Sequence, residues 1–341
     1  MPKIIVNGLG TIGKRVAAAV RRQEDMELAG VADVAPTGEL RTVMSEDGPL
    51  SGVDLYGSTA EGVQKLEEGG FDVAGDLAGV LDDVDLVVDA TPKGIDAKNK
   101  ENLYEPNDVK AIFQGGADGS IADVKFNANA NYDEARDEQF VKLVSCNTTS
   151  LCRTLHAVDD NFGVDEVVAN LVRRGGDPKQ DSRGPINSII PVQDVPSHHG
   201  PDVQEVMPYI DIKTLAVKVP TTLAHVHMVN VELESDATED EVKRAFRDEP
   251  RVVLESAGDG YESTAKLHEK MRDLERPRND MQEVAIWEET VTVDNGTLYW
   301  IHMTHQESIV VPDNIDAIRA MLGMDDRKAS MERTDQSLGL E

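Results

Sequence analysis

The chain has 341 residues, 40% of them hydrophobic, which is enough for two domains with separate cores. Its 34 Lys and Arg stand against 64 Asp and Glu, a formal net charge of -30; with no basic cluster, nucleic acid and anionic membranes are excluded as expected partners, and the self-repelling surface suits concentrated salt, as in a halophilic protein. Two cysteines exclude a disulfide framework, and the lack of a leader or of an apolar run long enough to span a bilayer predicts a cytoplasmic protein.

KIIVNG (3–8) predicts a strand and IGKRVAAAVRRQ (12–23) a helix, joined by Gly8, Gly10 and Gly13 in the spacing GxGxxG. Between strand and helix these glycines permit a tight turn, close approach of a pyrophosphate to the backbone, and close helix–strand packing; the helix N-terminus offers amides to the anion. ELAGVAD (27–33) predicts the next strand, ending at Asp33, where a carboxylate can bond the ribose hydroxyls of NAD and repel the extra phosphate of NADP. Lys14, Arg21 and Arg22 leave NADP open. DLVVDAT (85–91) and VKAIFQGG (109–116) place Thr91, Pro92, Gly115 and Gly116 at strand ends, as the nicotinamide side of a cleft or as plain turns. FVKLVSC (140–146) closes an α/β, Rossmann-type, doubly wound parallel sheet over residues 1–146.

From Cys146 the sequence NTTSLCRTLHAV reads as a helix that Asn147, Thr148 and Thr149 can cap. A thiol at its N-terminus is expected to have a lowered pKa and to act as a nucleophile, whereas Cys152, on another face, reads as core. DEVVANLVRR (165–174), KTLAVKV (213–219) and AHVHMVNVELE (224–234) then read as strands, and VAIWEETVTV with TLYWIHM as a hairpin around Asn295-Gly296. This predicts an α+β catalytic domain over 147–306 with a largely antiparallel sheet. Residues 307–341 supply a C-terminal helix, PDNIDAIRAMLGM, packing back on the first domain, and the polar last dozen residues read as disordered.

A cysteine nucleophile needs a base. His225 and His227 share one face of a strand, a spacing that also suits a metal, but no third ligand is evident nearby, so no metal is expected. His198 and His199 sit among prolines in PVQDVPSHHGPDV, able to give donors to an anion. Arg173 and Arg174 end a strand, as a phosphate site or as a solvated pair.

NGLGTIGKRV, DATPKG, FQGG, SCNTTSLCR, RRGGDPK, GPINSIIP, HHGPDV, VPTTLAHVHMV and HQESIVVP together resemble the archaeal-type phosphorylating glyceraldehyde-3-phosphate dehydrogenases along most of the chain. The resemblance implies a homotetramer that oxidises glyceraldehyde 3-phosphate with NAD or NADP and inorganic phosphate, in glycolysis or gluconeogenesis. It makes Cys146 the nucleophile and His225 the acid and base, with His227 two residues away as the other candidate. It puts Thr11, Ile12, Gly116, Arg174 and Gln306 on the cofactor and Ser145, Cys146, Asn147, His199 and Gly200 on the substrate. Asp33 stands where NADP-favouring relatives carry basic residues.

Overall fold

A computed structural model describes residues 1–114, 116–177 and 184–340; Gly115, and Pro178 and Lys179 of RRGGDPK, lie outside them. The chain divides into two compact units, one of Met1–Ser145 with Val311–Gly339, the other of Cys146–Val310 with Leu340.

In the first unit the strands are β1 (Lys3–Asn7), β2 (Glu27–Asp33), β3 (Leu55–Gly57), β4 (Gly75–Asp76), β5 (Leu86–Asp89), β6 (Lys110–Phe113), β7 (Val124–Phe126) and β8 (Phe140–Leu143), with helices α1 (Gly13–Val20), α2 (Gly38–Met44), α3 (Ala60–Glu68) and α4 (Ile95–Asn99). Their order is β4-β3-β2-β1-β5-β6-β8-β7, and every described pairing is parallel. The central strands are uninterrupted apolar runs because helices cover the sheet: Ile4, Ile5 and Val6 of β1 and Leu86, Val87 and Val88 of β5 are fully buried. Strand order reverses between β1 and β5, the switch point beside which such sheets bind ligands.

The second unit contains α5 (Cys146–Phe162), β9 (Val164–Arg174), β10 (Ile190–Pro191), α6 (His199–Gln204), β11 (Asp211–Val219), β12 (His225–Leu233), α7 (Glu239–Asp248), β13 (Val252–Glu255), α8 (Thr264–Asp273), β14 (Val284–Trp287), β15 (Thr292–Asp294) and β16 (Thr297–Thr304). Its sheet runs β10-β11-β9-β12-β16-β14-β13, with β15 also on β16. It is mixed: β11 lies parallel to β9 and β13 to β14, while the other pairings are antiparallel. In β12 alternation buries His225, His227, Val229 and Val231 and leaves Met228 exposed.

The expected hairpin is present, with Asn295 and Gly296 both at positive φ as its turn requires. Its first arm is broken, however, by a short helical turn at Glu288–Thr290 between β14 and β15. The Thr290 hydroxyl bridges the break by accepting the Ile301 amide at 2.9 Å. The C-terminal segment carries two helices, α9 (Val311–Met321) and α10 (Arg327–Leu338). The expected disorder of the last dozen residues is therefore a misreading. Asp326 caps α10, and Ser330 and Thr334, polar in sequence, each donate a 2.7 Å hydrogen bond to buried Asp316.

Candidate active site

The glycine loop of the first unit is built by close contact. Gly8 has φ +91°, and a Cβ on Gly13 would lie 1.8 Å from the Gly8 carbonyl oxygen, so helix and strand meet only with glycine there. A Cβ at Gly10 would meet nothing within 4 Å, which is open room against the backbone. Ile12 is the N-cap of α1, no side chain caps it and its first turn holds no acid; the Thr11 carbonyl accepts Arg15 Nη1 at 2.8 Å. Amide groups, room and a favourable dipole fit a dinucleotide pyrophosphate. Asp33 Oδ2 accepts the Leu9 amide at 2.9 Å and Oδ1 the Val34 amide at 2.7 Å, tying the loop to the end of β2. Each carboxylate oxygen keeps a further lone pair for a hydroxyl. Lys14 turns to Glu39 and Arg21 to the Pro49 carbonyl. Thr91 is held by Asp89, through its amide and its hydroxyl, while Gly116 is exposed.

In the second unit Cys146 is the first residue of α5 rather than the residue before a capped helix, and Asn147, Thr148 and Thr149 are buried within its first turns. The thiol pKa of half-buried Cys146 is shifted in the direction opposite to the expected lowering. Burial pushes it up to about 11, against the opposing pull of Arg173, Arg174 and the Asn147 backbone. Loss of water around sulfur outweighs two guanidinium groups and a helix end. Cys152 is fully buried core, as expected.

His225 is buried, and its Nδ1 accepts the Arg174 backbone amide at 2.9 Å. A backbone N–H can only donate, so the neutral ring carries its proton on Nε2. That Nε2 is buried with no hydrogen-bond partner among the described residues. Burial, then Arg174 and Arg173, hold the ring's pKa down to about 3, with Glu307 and Gln306 pulling the other way. His227 differs in kind. Its Nε2 lies 2.9 Å from Asn147 Oδ1 and its Nδ1 3.0 Å from His302 Nε2, so both ring nitrogens are engaged.

Arg174, expected on the cofactor, is almost enclosed. Nε donates to Gln306 Oε1 at 2.6 Å and Nη1 to Glu307 Oε1 at 2.8 Å, while Nη2 pairs with Asp177. Burial pushes the Glu307 carboxyl up, but His305 and Arg174 hold it down to about 2. Arg174 thus ties Gln306 to β9 and holds His225 through its own backbone. Arg173, for which the sequence allows a phosphate site or a solvated pair, has a buried Nε without a partner among the described residues, and its charge acts on Cys146, His199 and His225 alike. The Arg-Arg pair was visible in sequence; which of the two faces the thiol was not.

His199 is buried with both ring nitrogens unpartnered among the described residues. Burial, then Arg173, His198 and His225, hold its pKa down to about 2. His198, His199 and Asp202 bring ligating atoms within 4.8 Å of one another, but the adjacent Arg173 cation suits that corner to an anion rather than a metal ion. The Gly200 amide donates to Thr214 Oγ1 at 3.0 Å, and a Cβ there would press on Ile212 O and Thr214 Oγ1 at 3.2 Å. Ser145 precedes Cys146 and ends the first of the two segments of its unit.

The family model described as "Glyceraldehyde 3-phosphate dehydrogenase, C-terminal domain" matches residues 145–270, which carry Cys146, Arg173, His199 and His225. The chain is 47% identical to the glyceraldehyde-3-phosphate dehydrogenase of Methanobacterium bryantii, over 100% of both chains. It is 48% identical to that of Thermococcus kodakarensis, over 99% of this chain and 98% of the relative, and 48% identical to that of Methanopyrus kandleri, over 99% and 97%. A glycine loop at a sheet's switch point, a cysteine heading a buried helix beside arginine and histidine, and identity along the whole chain place this protein in the glyceraldehyde-3-phosphate dehydrogenase family.

Proposed function

We propose that the protein catalyses the reversible, NAD(P)-dependent phosphorylating oxidation of D-glyceraldehyde 3-phosphate to 1,3-bisphosphoglycerate through a thioester on Cys146. The observation that carries this reading is the grouping of Cys146 with the Arg173 and Arg174 charges, with His199, whose two buried ring nitrogens lack partners among the described residues, and with His225, whose buried Nε2 does.

Cys146 Sγ adds to the aldehyde carbon, and the thiol proton ends on the former carbonyl oxygen. His225, neutral and protonated on Nε2, donates to that oxygen as charge develops on it. A nicotinamide dinucleotide, held by the loop of Gly8, Gly10, Thr11, Ile12 and Gly13 with Asp33, would supply the hydride acceptor. With the carbon's hydride given to that acceptor, loss of the hydroxyl proton to solvent would leave the thioester; a phosphate oxygen attacks its carbonyl carbon, the C–S bond breaks, and Cys146 leaves as thiolate and takes up a proton. For His225 to take the hydroxyl proton itself, Nδ1 would have to give up the Arg174 amide, so the geometry favours the donor role over the base role. Such donation is worth about 100- to 1,000-fold, and a His225→Ala protein keeps slow turnover.

Arg173 and His199, with His198 at the edge, have the charge and donors to hold phosphate, while Asn147 and Gly200 complete the substrate side. Asp33 and the engagement of Lys14 and Arg21 elsewhere favour NAD over NADP. A cytoplasmic homotetramer working in concentrated salt completes the proposal. Initial rates on glyceraldehyde 3-phosphate with NAD or NADP, with and without inorganic phosphate and across KCl concentrations, test it. Activity on a carboxylate semialdehyde alone, or turnover indifferent to phosphate, would refute it.

A further inference from the structure

Behind Cys146 lies a chain of buried hydrogen bonds whose direction is set from one end. Trp300 Nε1 is 3.0 Å from His302 Nδ1, His302 Nε2 is 3.0 Å from His227 Nδ1, and His227 Nε2 is 2.9 Å from Asn147 Oδ1. His227 and His302 face each other across β12 and β16, and all four side chains are at most 2% exposed.

An indole N–H only donates, so His302 Nδ1 is bare and its proton sits on Nε2. That proton goes to His227 Nδ1, so the proton of His227 sits on its own Nε2 and goes to the Asn147 amide oxygen. The reverse order would leave His302 accepting at both nitrogens, which a neutral imidazole cannot do. Ser150 Oγ also lies 3.3 Å from His227 Nδ1, but its one proton has a nearer acceptor in the Asn147 carbonyl at 3.0 Å. Protonating either histidine would break a link. The groups acting on His227 are His302, His225, His199 and Arg173, with no carboxylate among them to stabilise a cation.

We propose that Trp300, His302 and His227 form a one-way hydrogen-bond relay that fixes the side-chain amide of Asn147, oxygen inward, so that its NH2 is the group offered to the substrate beside Cys146. The substrate role of Asn147 rests on the function proposed above; the relay itself does not. Trp300, His302 and His227 are positioning residues. Without the indole donor both relay directions become available, and the amide of Asn147 can present either end.

The test has two arms. In histidine-15N-labelled protein, ring-nitrogen shifts are expected to show His227 and His302 both neutral and protonated on Nε2 from about pH 5 to about pH 9. A proton on Nδ1 of either would overturn the relay, whatever the enzyme's activity. In a double-mutant cycle, Trp300→Phe lowers kcat/KM about 5-fold in the wild type, and less than about 2-fold in an Asn147→Ala background where there is no amide left to position. Equal losses in both backgrounds would show a merely structural role and overturn the proposal. Should Trp300→Phe fail to fold, His302→Gln, whose amide still gives His227 an N–H, is expected to retain most of kcat/KM where His302→Leu does not; equal rates would refute it. A wild-type protein inactive on glyceraldehyde 3-phosphate would instead refute the function while leaving the 15N result standing.

Discussion

Replacing Arg173 by Gln isolates the charge that the thiol feels. Burial raises the Cys146 pKa to about 11 even with Arg173 and Arg174 pulling it down, so at pH 8 only about 1 thiol in 1,000 is ionised. An opposite charge within about 4–6 Å lowers a pKa by about 1–3 units, and losing it cuts the thiolate fraction at fixed pH by about 10- to 1,000-fold. The more basic thiolate is intrinsically more nucleophilic, with a Brønsted slope of about 0.4–0.5, which returns part of that loss. The net expectation is alkylation by iodoacetamide about 3- to 60-fold slower in Arg173→Gln at pH 8, with the pH–rate profile displaced to higher pH. Stopped-time alkylation with peptide mass mapping of Cys146 provides the assay. An unchanged rate and an unmoved profile would show that Arg173 does not act on the thiol, and the site would have to be rebuilt without it.

Four further outcomes follow. His199, His225, His302 and His268 are held neutral, chiefly by burial, with pKa values down to about 2, 3, 3 and 4. Because the unfolded chain binds more protons below about pH 6.5, stability is full above that pH and falls below it by up to about 1.4 kcal/mol per pH unit per ring; urea unfolding at about pH 7 and about pH 5 measures it. Gly13→Ala, with its Cβ set 1.8 Å from the Gly8 oxygen, is expected to weaken NAD binding at least about 10-fold by calorimetry while Cys146 alkylation keeps its rate. With a net charge of -30, the protein's Tm rises as KCl goes from about 0.1 M to about 1 M, where the Debye length is about 3 Å; scanning calorimetry that shows no rise removes the salt adaptation. Thr334→Val strips a donor from buried Asp316 and an acceptor from buried Arg319 and costs about 1–3 kcal/mol in urea unfolding.

What the sequence disclosed depended on how local the cause was. The glycine spacing, the β-branched runs of β1, β2 and β5, and the Asn-Gly turn are each written within a few adjacent residues, and each forms where it was read. LYG, GD and VKF, which make β3, β4 and β7, are too short to show a period, and only neighbouring strands make them strands. The last dozen residues read as disordered because only Met331 and Leu338 among the buried side chains of α10 are apolar; the others, Ser330 and Thr334, find their partners Asp316 and Arg319 on another helix. His225 and His227 look alike at spacing two. Their difference comes from the Arg174 amide on one side and His302 with Asn147 on the other, contacts made across strands and a helix. The thiol pKa was misjudged for a similar reason: a helix end is visible in sequence, the depth of burial is not.

The most direct measurement is the mass of the Cys146 peptide after the enzyme is mixed with glyceraldehyde 3-phosphate and NAD and quenched in acid without inorganic phosphate. The peptide is expected to carry one phosphoglyceroyl group, which disappears when phosphate is added before the quench. A peptide that stays unmodified while the cofactor is reduced, or an acyl group found on Cys152 or on no cysteine, would contradict the assignment of Cys146 as the thioester former.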